Sequence, residues 1–208
     1  MPFFITAIGT DSGKTVVSAI MCEALKADYW KPVQSGLPRD TDTVRMLVSN
    51  DRTVFHQEQF LLSTPASPHA AALRDQVSIS VASFKLPHTN NQLVIEGAGG
   101  CLVPLSDEDL MIDLIAALKA EVIVVSNHYL GSINHTLLTL EALYSRNLTV
   151  RGIVFNGERN PESERLILLR SRLPCLLRIS KEAVMNQDIV RKYAHILIEN
   201  WNDRLQRA

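Results

Sequence analysis

The sequence carries no excess of basic charge, since its 21 lysine and arginine residues are balanced by 22 aspartate and glutamate residues. A protein that binds a nucleic-acid backbone usually has such an excess, so we do not expect nucleic-acid binding. No apolar run approaches the ~18–20 residues that a membrane-spanning helix needs, so we expect no membrane partner. The apolar residues 3–5 have no basic residue before them, and we interpret them as the start of a strand and not as a signal peptide.

Cysteine is also scarce, and the three cysteines, Cys22, Cys101 and Cys175, are far apart in the sequence. Because no C-x-x-C pair is present, the sequence predicts neither a cysteine metal site nor a redox pair. An odd number of cysteines without a signal peptide is typical of a reducing compartment. The sequence also offers no Ser-His-Asp or Cys-His arrangement, so we expect chemistry that does not depend on a nucleophilic side chain.

The spacing of apolar residues predicts strands that alternate with helices along 208 residues, a length that suits one compact domain. Strands are predicted at residues 3–8, 29–33, 93–95, 122–125, 150–155 and 175–179. Helices are predicted around residues 17–25, 41–48, 111–118, 133–144, 161–172 and 190–201, while residues 49–91 are the least regular part. This alternation predicts an α/β fold: a single-domain three-layer sandwich, residues 1–208, with a mostly parallel sheet and helices on both faces.

The segment G-T-D-S-G-K-T, residues 9–15, joins the first predicted strand to the first predicted helix. The P-loop pattern is G-x-x-x-x-G-K-[ST], and here three residues instead of four separate the two glycines. Gly13 allows backbone N–H groups to point inward at an anion, and Lys14 places a cation on the β- and γ-phosphates. The Thr15 hydroxyl is a ligand that suits Mg²⁺. The sequence therefore predicts a phosphate-binding loop and a fold of the P-loop NTPase type.

Further charged residues occur where strands end or helices begin. Lys31 would lie beside the phosphate loop if the second strand neighbours the first, and two lysines there would offset charge during phosphoryl transfer. Glu96 ends a predicted buried strand, in the position of a Walker-B carboxylate. Asp42 begins the next short helix, where Asp40 competes with it for the N-cap position. Because Mg²⁺ prefers oxygen ligands, we expect Thr15, Asp42 and Glu96 to bind it.

Several segments resemble, in order and spacing, those of the dethiobiotin synthetase family. The matching residues are 9–11, 13–15, 31–33, 35–36, 67–69, 94–100, 104–107, 130–135 and 156, within a region that runs from residue 3 to about 157. Among them E-G-A-G-G and L-G-S-I-N-H are quite specific. The resemblance implies a cytoplasmic homodimeric enzyme of biotin synthesis that acts on 7,8-diaminopelargonic acid and CO₂ with ATP and Mg²⁺.

The resemblance also implies a reaction. One amine forms a carbamate, the γ-phosphoryl group passes to the carbamate oxygen, and the second amine attacks the mixed anhydride, so that phosphate leaves and the ureido ring closes. Lys14 and Lys31 would be the catalytic residues that stabilise phosphoryl transfer, and Lys31 would also lie near the carbamate. Such chemistry needs charge neutralisation and alignment more than a nucleophilic side chain.

Ligand sets follow from the same resemblance. For the nucleotide they are Ser12, Gly13, Lys14, Thr15, Val16, Glu96, Gly97, Ala98, Gly99 and Asn156, of which Asn156 would contact the adenine edge. For the diamine they are Thr10, Ser35, Gly131, Ser132, Ile133 and Asn134, the last four from the other subunit. Because helix N-termini attract carboxylates, the carboxylate of the substrate can bind at residues 131–132 without a lysine or arginine.

The sequence also departs from the family. The phosphate loop is short and lacks a Glu-Val pair before its second glycine, Gly157 stands where an aspartate often follows Asn156, and residues 177–180 read L-R-I-S in place of G-x-I-P. We therefore predict loose discrimination among nucleoside triphosphates.

Three alternatives remain open. A related amidoligase of cofactor synthesis would commonly add a glutamine-hydrolysing domain, for which we see no candidate cysteine triad. A ParA/MinD-like ATPase switch would carry an extra lysine early in the phosphate loop, where this sequence has Thr10, Asp11 and Ser12. A degenerate relative would bind nucleotide without turnover, and the shortened loop keeps that alternative open.

Overall fold

The computed structural model describes residues 1–205, with side chains described through Trp201. Its strands are β1 (Phe3–Ala7), β2 (Asp28–Trp30), β3 (Val33–Ser35), β4 (Phe55–His56), β5 (Phe60–Leu62), β6 (Leu93–Gly100), β7 (Glu121–Asn127), β8 (Val150–Asn156) and β9 (Cys175–Ile179). Its helices are α1 (Lys14–Leu25), α2 (Asp40–Leu47), α3 (Pro68–Arg74), α4 (Met111–Ala117), α5 (Ser132–Tyr144), α6 (Pro161–Ser171) and α7 (Gln187–Leu205).

Seven strands form one sheet in the order β4-β2-β6-β1-β7-β8-β9, and each neighbouring pair is parallel. Strands β3 and β5 form a separate parallel pair. Side chains of β1 alternate between two hydrophobic clusters: Phe3 and Ile5 pack with α1 and α7, whereas Phe4 packs on the opposite face with α4, α5 and α6. Both sheet faces are therefore covered, and the predicted three-layer α/β architecture is confirmed.

The predicted strand at residues 29–33 is in fact two strands in two different sheets. Pro32 has no backbone N–H to donate to a ladder, so β2 ends before it. The carbonyl of Pro32 instead accepts hydrogen bonds from the N–H groups of Gln59 and Phe60, both at 3.0 Å, and β3 then pairs with β5. The second strand also does not neighbour the first, because β6 lies between β2 and β1.

Two more expectations change in detail. The irregular region at residues 49–91 contains β4, β5, α3 and a short 3₁₀ turn at Val81–Ser83. Glu96 does not end its strand, because β6 continues through the glycines to Gly100. Among residues 1–205, no helix is both long enough and apolar enough to span a bilayer.

Candidate active site

The phosphate loop, residues 9–15, closes on itself at the end of β1. Gly13 has a φ of 95°, a left-handed conformation that favours glycine, and an added Cβ there would lie 2.3 Å from the Asn156 side-chain amide. The Lys14 ammonium group donates a hydrogen bond to the Gly9 carbonyl at 3.3 Å. The lysine therefore lies across the loop, at the N-terminus of α1, where a phosphate group would be bound.

Electrostatics at Lys14 favour an anionic ligand. Burial lowers the pKa of Lys14, and the positive charge of Lys31 lowers it further, while nearby carboxylates act in the opposite direction. Two neighbouring cations repel each other, so a bound polyphosphate would relieve this repulsion. Because Lys14 and Lys31 line one cavity, both can contact the same ligand.

Thr15, Lys31 and two carboxylates converge beside the loop. The Thr15 hydroxyl lies 3.0 Å from both Asp40 Oδ1 and Glu96 Oε1, although its single proton can serve only one of them at a time. The Lys31 ammonium group lies 2.5 Å from Asp40 Oδ2 and 3.1 Å from Glu96 Oε1. It also donates to the Gly97 carbonyl at 3.3 Å, so Lys31 contacts β6, the strand that lies between β2 and β1.

Lys31 remains an ammonium ion in this setting. Burial alone would lower its pKa, but the carboxylates of Glu96 and Asp40 outweigh burial and raise the pKa above its usual value. Tyr29 donates its hydroxyl proton to Glu96 Oε2 at 2.9 Å, and burial raises the pKa of Tyr29 well above its usual value. Glu96 therefore has a fixed donor on one oxygen and the cation on the other.

The structure places Asp40, and not the predicted Asp42, at this cluster. Helix α2 begins at Asp40, and a residue two positions later is rotated by about 200° around the helix axis. The Asp42 carboxylate instead accepts two hydrogen bonds from the Arg39 guanidinium group, both at 2.8 Å, and its side chain is 47% exposed. The expectation that Asp42 joins Thr15 and Glu96 is corrected accordingly, and the only sequence signal for Asp40 was its position at the start of the same helix.

The donor set fits Mg²⁺. A threonine hydroxyl and two carboxylates supply hard oxygen atoms, and Mg²⁺ usually takes one or two carboxylates and leaves its other positions to phosphate oxygens and waters. Within the described residues no group of three or more His, Cys, Asp or Glu side chains that could hold a metal ion is found. Thr15, Asp40 and Glu96 are the residues that would hold the ion.

A cavity of about 740 Å³ contains this cluster. Of the predicted site residues it is lined by Thr10, Gly13, Lys14, Thr15, Lys31, Ser35, Glu96, Ala98 and Gly99. Lining residues that the sequence reasoning missed include Asp40, Gln34 and Ser67. The Ser35 hydroxyl is buried and has no hydrogen-bond partner among the described residues, so it is available to a ligand.

The predicted adenine-edge residue, Asn156, lies at the end of β8. Its side-chain N–H donates to the Ser12 carbonyl at 2.9 Å, which ties β8 to the phosphate loop. Gly97 lies in β6 behind the cluster, where an added Cβ would meet the Phe4 ring at 2.7 Å. Val16 lines a second cleft of about 610 Å³, which Met185 also lines.

Residues 131–134 do not line the cavity that holds Lys14 and Lys31. They open helix α5, with Gly131 as its N-cap at a φ of 106°. Leu130, directly before them, is fully exposed at 103%, which is unusual for a leucine. The structure therefore separates these predicted substrate residues from the rest of the site within one subunit.

Comparisons with known proteins agree with this geometry. A family model described as an AAA domain matches residues 2–188. The ATP-dependent dethiobiotin synthetase BioD of Cytophaga hutchinsonii is 55% identical over 201 residues, which cover 96% of this chain and 98% of that protein. The protein of the same name from Christiangramia forsetii is 48% identical, with 92% and 93% covered, and that from Chlamydia felis is 40% identical, with 98% and 97% covered.

Solved structures of similar fold are more distant in sequence. The cell division ATPase MinD of Pyrococcus furiosus has a TM-score of 0.58 at 14% identity, with 98% of this chain and 99% of that chain covered. A putative plasmid partition protein from Borrelia burgdorferi, bound to AMPPNP, has a TM-score of 0.58 at 11% identity, with 97% and 98% covered. At such identities the likeness shows the fold alone, and this agrees with the predicted mostly parallel sheet covered by helices.

Proposed function

Because this chain belongs to the ATP-dependent dethiobiotin synthetase family, we propose that it converts 7,8-diaminopelargonic acid, CO₂ and ATP to dethiobiotin, ADP and phosphate. One observation carries the proposal: the phosphate-loop lysine Lys14, the cation Lys31 and the carboxylates of Asp40 and Glu96 all line one cavity. A site that transfers a phosphoryl group to a small anionic acceptor needs this combination of charges.

Lys14 and the loop N–H groups bind the β- and γ-phosphates in this proposal. Lys31, which pairs with Asp40 and Glu96, stabilises the negative charge that develops as the γ-phosphoryl group moves to the carbamate oxygen. In this role Lys31 acts as a fixed cation and not as a base. The cavity would then hold the attacking carbamate oxygen and the leaving ADP oxygen in line with the γ-phosphorus. Alignment of this kind supplies much of the acceleration in such reactions.

Bound Mg²⁺ would neutralise charge on the β- and γ-phosphate oxygens. Thr15, Asp40 and Glu96 orient their oxygen atoms for this ion, and Tyr29 fixes the orientation of Glu96 through its hydrogen bond at 2.9 Å. The hydroxyl oxygen of Thr15 and the carboxylate oxygens of Asp40 and Glu96 are the hard ligands that a divalent cation of this kind prefers.

Ring closure follows on the same substrate. The second amine attacks the carbonyl carbon of the carbamic-phosphoric anhydride, the bond from that carbon to the bridging oxygen breaks, and phosphate leaves with that oxygen. The Ser35 hydroxyl lines the cavity and has no hydrogen-bond partner among the described residues, so in this proposal it would hydrogen-bond an amine of the diamine. No side chain forms a covalent bond in this sequence of steps, which is consistent with the buried and inert Cys101.

We further propose a cytoplasmic homodimer of single-domain subunits. Support comes from residues 131–134, which lie outside the cavity of their own subunit, and from the fully exposed Leu130 beside them. In the dimer, the N-terminus of α5 from one subunit would bind the substrate carboxylate in the other subunit's cavity. In this proposal Asn156, which is bonded to the Ser12 carbonyl of the phosphate loop, would contact the base, and Val16 would contact the nucleotide.

The deciding experiment incubates the purified protein with the diamine, bicarbonate, Mg²⁺ and ATP and measures dethiobiotin by mass spectrometry. We expect dethiobiotin in equal amount to the phosphate released. Hydrolysis of ATP at the same rate without the diamine would instead favour the MinD-like switch that the fold also permits. The Lys14→Ala variant serves as the negative control, because it lacks the phosphate-loop cation.

A further inference from the structure

A glutamine that has no assigned role lies between the proposed substrate and metal residues. Gln34 in β3 is only 4% exposed and lines the cavity. Its side-chain oxygen accepts a hydrogen bond from the backbone N–H of Asp40 at 3.0 Å. Its side-chain N–H donates to the Gly36 carbonyl at 3.2 Å. Both ends of the amide are thus used, and they join the start of the turn at residues 35–39 to its end.

Helix α2 needs an external acceptor at Asp40. The first N–H groups of a helix have no intrahelical partner, and the N-cap residue Arg39 supplies no side-chain hydrogen bond to them. Gln34 provides that acceptor from another element. Because Asp40 is the first residue of the helix, the bond to its N–H also fixes the direction in which its carboxylate leaves the backbone.

The turn between Gln34 and Asp40 is held at its base as well. Gly36 has a φ of 73°, and an added Cβ there would lie 2.7 Å from Pro65. The Gly36 N–H donates to the Leu62 carbonyl at 2.8 Å. The first end of the turn is therefore bonded to β5 through Gly36. The second end, at Asp40, is held by the hydrogen bond to Gln34.

We propose that Gln34 is a positioning residue that holds the Asp40 carboxylate against the Thr15 hydroxyl and the Lys31 ammonium group, so that the divalent-cation site is formed before the nucleotide arrives. This inference rests on the proposed function, since it assigns Gln34 to the metal side of that site. Some residues orient the metal ligands without contacting the metal. Replacing such a residue typically weakens metal binding by about 10–100-fold.

A second anchor on α2 predicts that the loss of Gln34 leaves the fold intact. The Thr41 hydroxyl donates to Glu58 Oε1 at 2.6 Å, and both side chains are buried. Helix α2 therefore stays attached when Gln34 is changed, while its first residue becomes free to move. The expected defect is in the geometry of Asp40 and not in the stability of the chain.

The test uses Mn²⁺ as a probe for the protein–ADP complex, with free Mn²⁺ measured by electron paramagnetic resonance. The Gln34→Leu variant keeps the side-chain size but loses both hydrogen bonds, and we expect its Mn²⁺ dissociation constant to rise about tenfold. Gln59→Leu is the matched control, because Gln59 also bonds through both ends of its amide, to Ser83 and Lys85 at 2.8 and 3.0 Å, but does not line the cavity. It should bind Mn²⁺ as the wild type does.

A double-mutant cycle shows whether Gln34 acts through Asp40. In the Asp40→Asn background, Gln34→Leu should have no further effect on Mn²⁺ affinity, and the KM for the diamine should change less than kcat does. Unchanged Mn²⁺ affinity in a folded Gln34→Leu variant, or full additivity with Asp40→Asn, overturns the positioning role. Mn²⁺ binding is measured without turnover, so the role of Gln34 and the synthesis of dethiobiotin succeed or fail separately.

Discussion

Thr15 Oγ1 lies 3.0 Å from Asp40 Oδ1, and this contact identifies Asp40 as the carboxylate that faces the phosphate loop from helix α2. The D-T-D sequence at residues 40–42 offers two candidates of the same chemistry on the same helix turn. Helix geometry separates them, because the second aspartate is turned away toward Arg39.

Paired substitutions test this assignment. We expect Asp40→Asn to weaken Mg²⁺ binding and to raise the Mg²⁺ concentration for half-maximal activity by about tenfold or more, because one of two carboxylate ligands loses its charge. Asp42→Asn should leave both quantities within about twofold of the wild type, since an exposed ion pair contributes little. Titration of Mg²⁺ in the dethiobiotin assay measures both variants, and the opposite ranking would restore Asp42 to the site.

Lys31 contributes both to the stability of the fold and to activity, and the two contributions can be measured separately. Lys31→Met leaves the buried Glu96 carboxylate and the partly exposed Asp40 carboxylate without their cation. Breaking a buried pair such as Lys31 with Glu96 typically destabilises a protein by roughly 3–5 kcal/mol. We expect added Mg²⁺ to restore part of the lost free energy of unfolding but not the activity, which should fall at least ~100-fold. Urea denaturation with and without Mg²⁺ measures the first effect. Lys85→Met, which removes an exposed lysine, is the control.

The nucleotide preference follows from three residues at the ends of β8 and β9. The Asn156 N–H is already bonded to Ser12, Gly157 has no side chain, and the Arg178 guanidinium group is bonded to Glu164 at 2.5 Å. Because Gly157 supplies no side-chain acceptor beside Asn156, and Arg178 is held by Glu164, we expect kcat/KM values for ATP, CTP and GTP within about tenfold of one another. A preference for ATP above ~100-fold would falsify this prediction.

A shared site predicts complementation between two inactive variants. Lys14→Ala removes the phosphate-loop cation, and Asn134→Glu places a negative charge beside the proposed carboxylate site on the other subunit. In a mixed dimer one cavity carries both changes and the other carries neither, so mixing should restore about a quarter of wild-type activity. Mixing Lys14→Ala with Lys31→Met is the control: each change lies in the cavity of its own subunit, so both cavities of a mixed dimer are damaged. Equal recovery in both mixtures contradicts a shared site.

Local features of the sequence were sufficient to predict the position of the phosphate loop and the order of helices and strands. The loop is a contiguous motif between a strand and a helix, and Lys14 and Thr15 need only their neighbours in sequence to be assigned. Apolar periodicity likewise located the buried runs of β1, β7 and β8, since these strands are covered on both faces and carry continuous apolar sequences.

What could not be predicted depends on contacts between distant segments. The choice of Asp40 over Asp42 is set by where α2 begins, and that start is fixed by Gln34 and by the pair of Thr41 with Glu58. The break of the second strand at Pro32 needed knowledge of its pairing with residues 59–60. The contact of Lys31 with Glu96 and Gly97 likewise depends on β6 lying next to β2, and apolar periodicity does not encode that strand order.

Acid sensitivity of folding should come in part from Glu23, which joins α1 to the loop after α2. Glu23 Oε2 accepts hydrogen bonds from the N–H groups of Ser49 at 2.7 Å and Asn50 at 3.1 Å, and Oε1 accepts one from Lys26 at 3.0 Å. Burial by itself would raise the pKa of Glu23, but these bonds outweigh it and lower the pKa from 4.5 to about 2.

A carboxyl group whose pKa is lower in the folded state stabilises that state above its unfolded pKa, and the stabilisation is lost as the pH falls toward the folded value. We therefore expect Glu23→Gln to reduce the free energy of unfolding by about 2 kcal/mol at pH 7. The difference from the wild type should stay constant down to about pH 4.5 and shrink between pH 4.5 and 2.

Urea denaturation followed by tryptophan fluorescence at a series of pH values measures this difference in the free energy of unfolding. Glu162→Gln, at an exposed pair with Arg165, should show no such pH-dependent difference. A difference for Glu23→Gln that persists unchanged to pH 2 would mean that the amide loses packing and not charge.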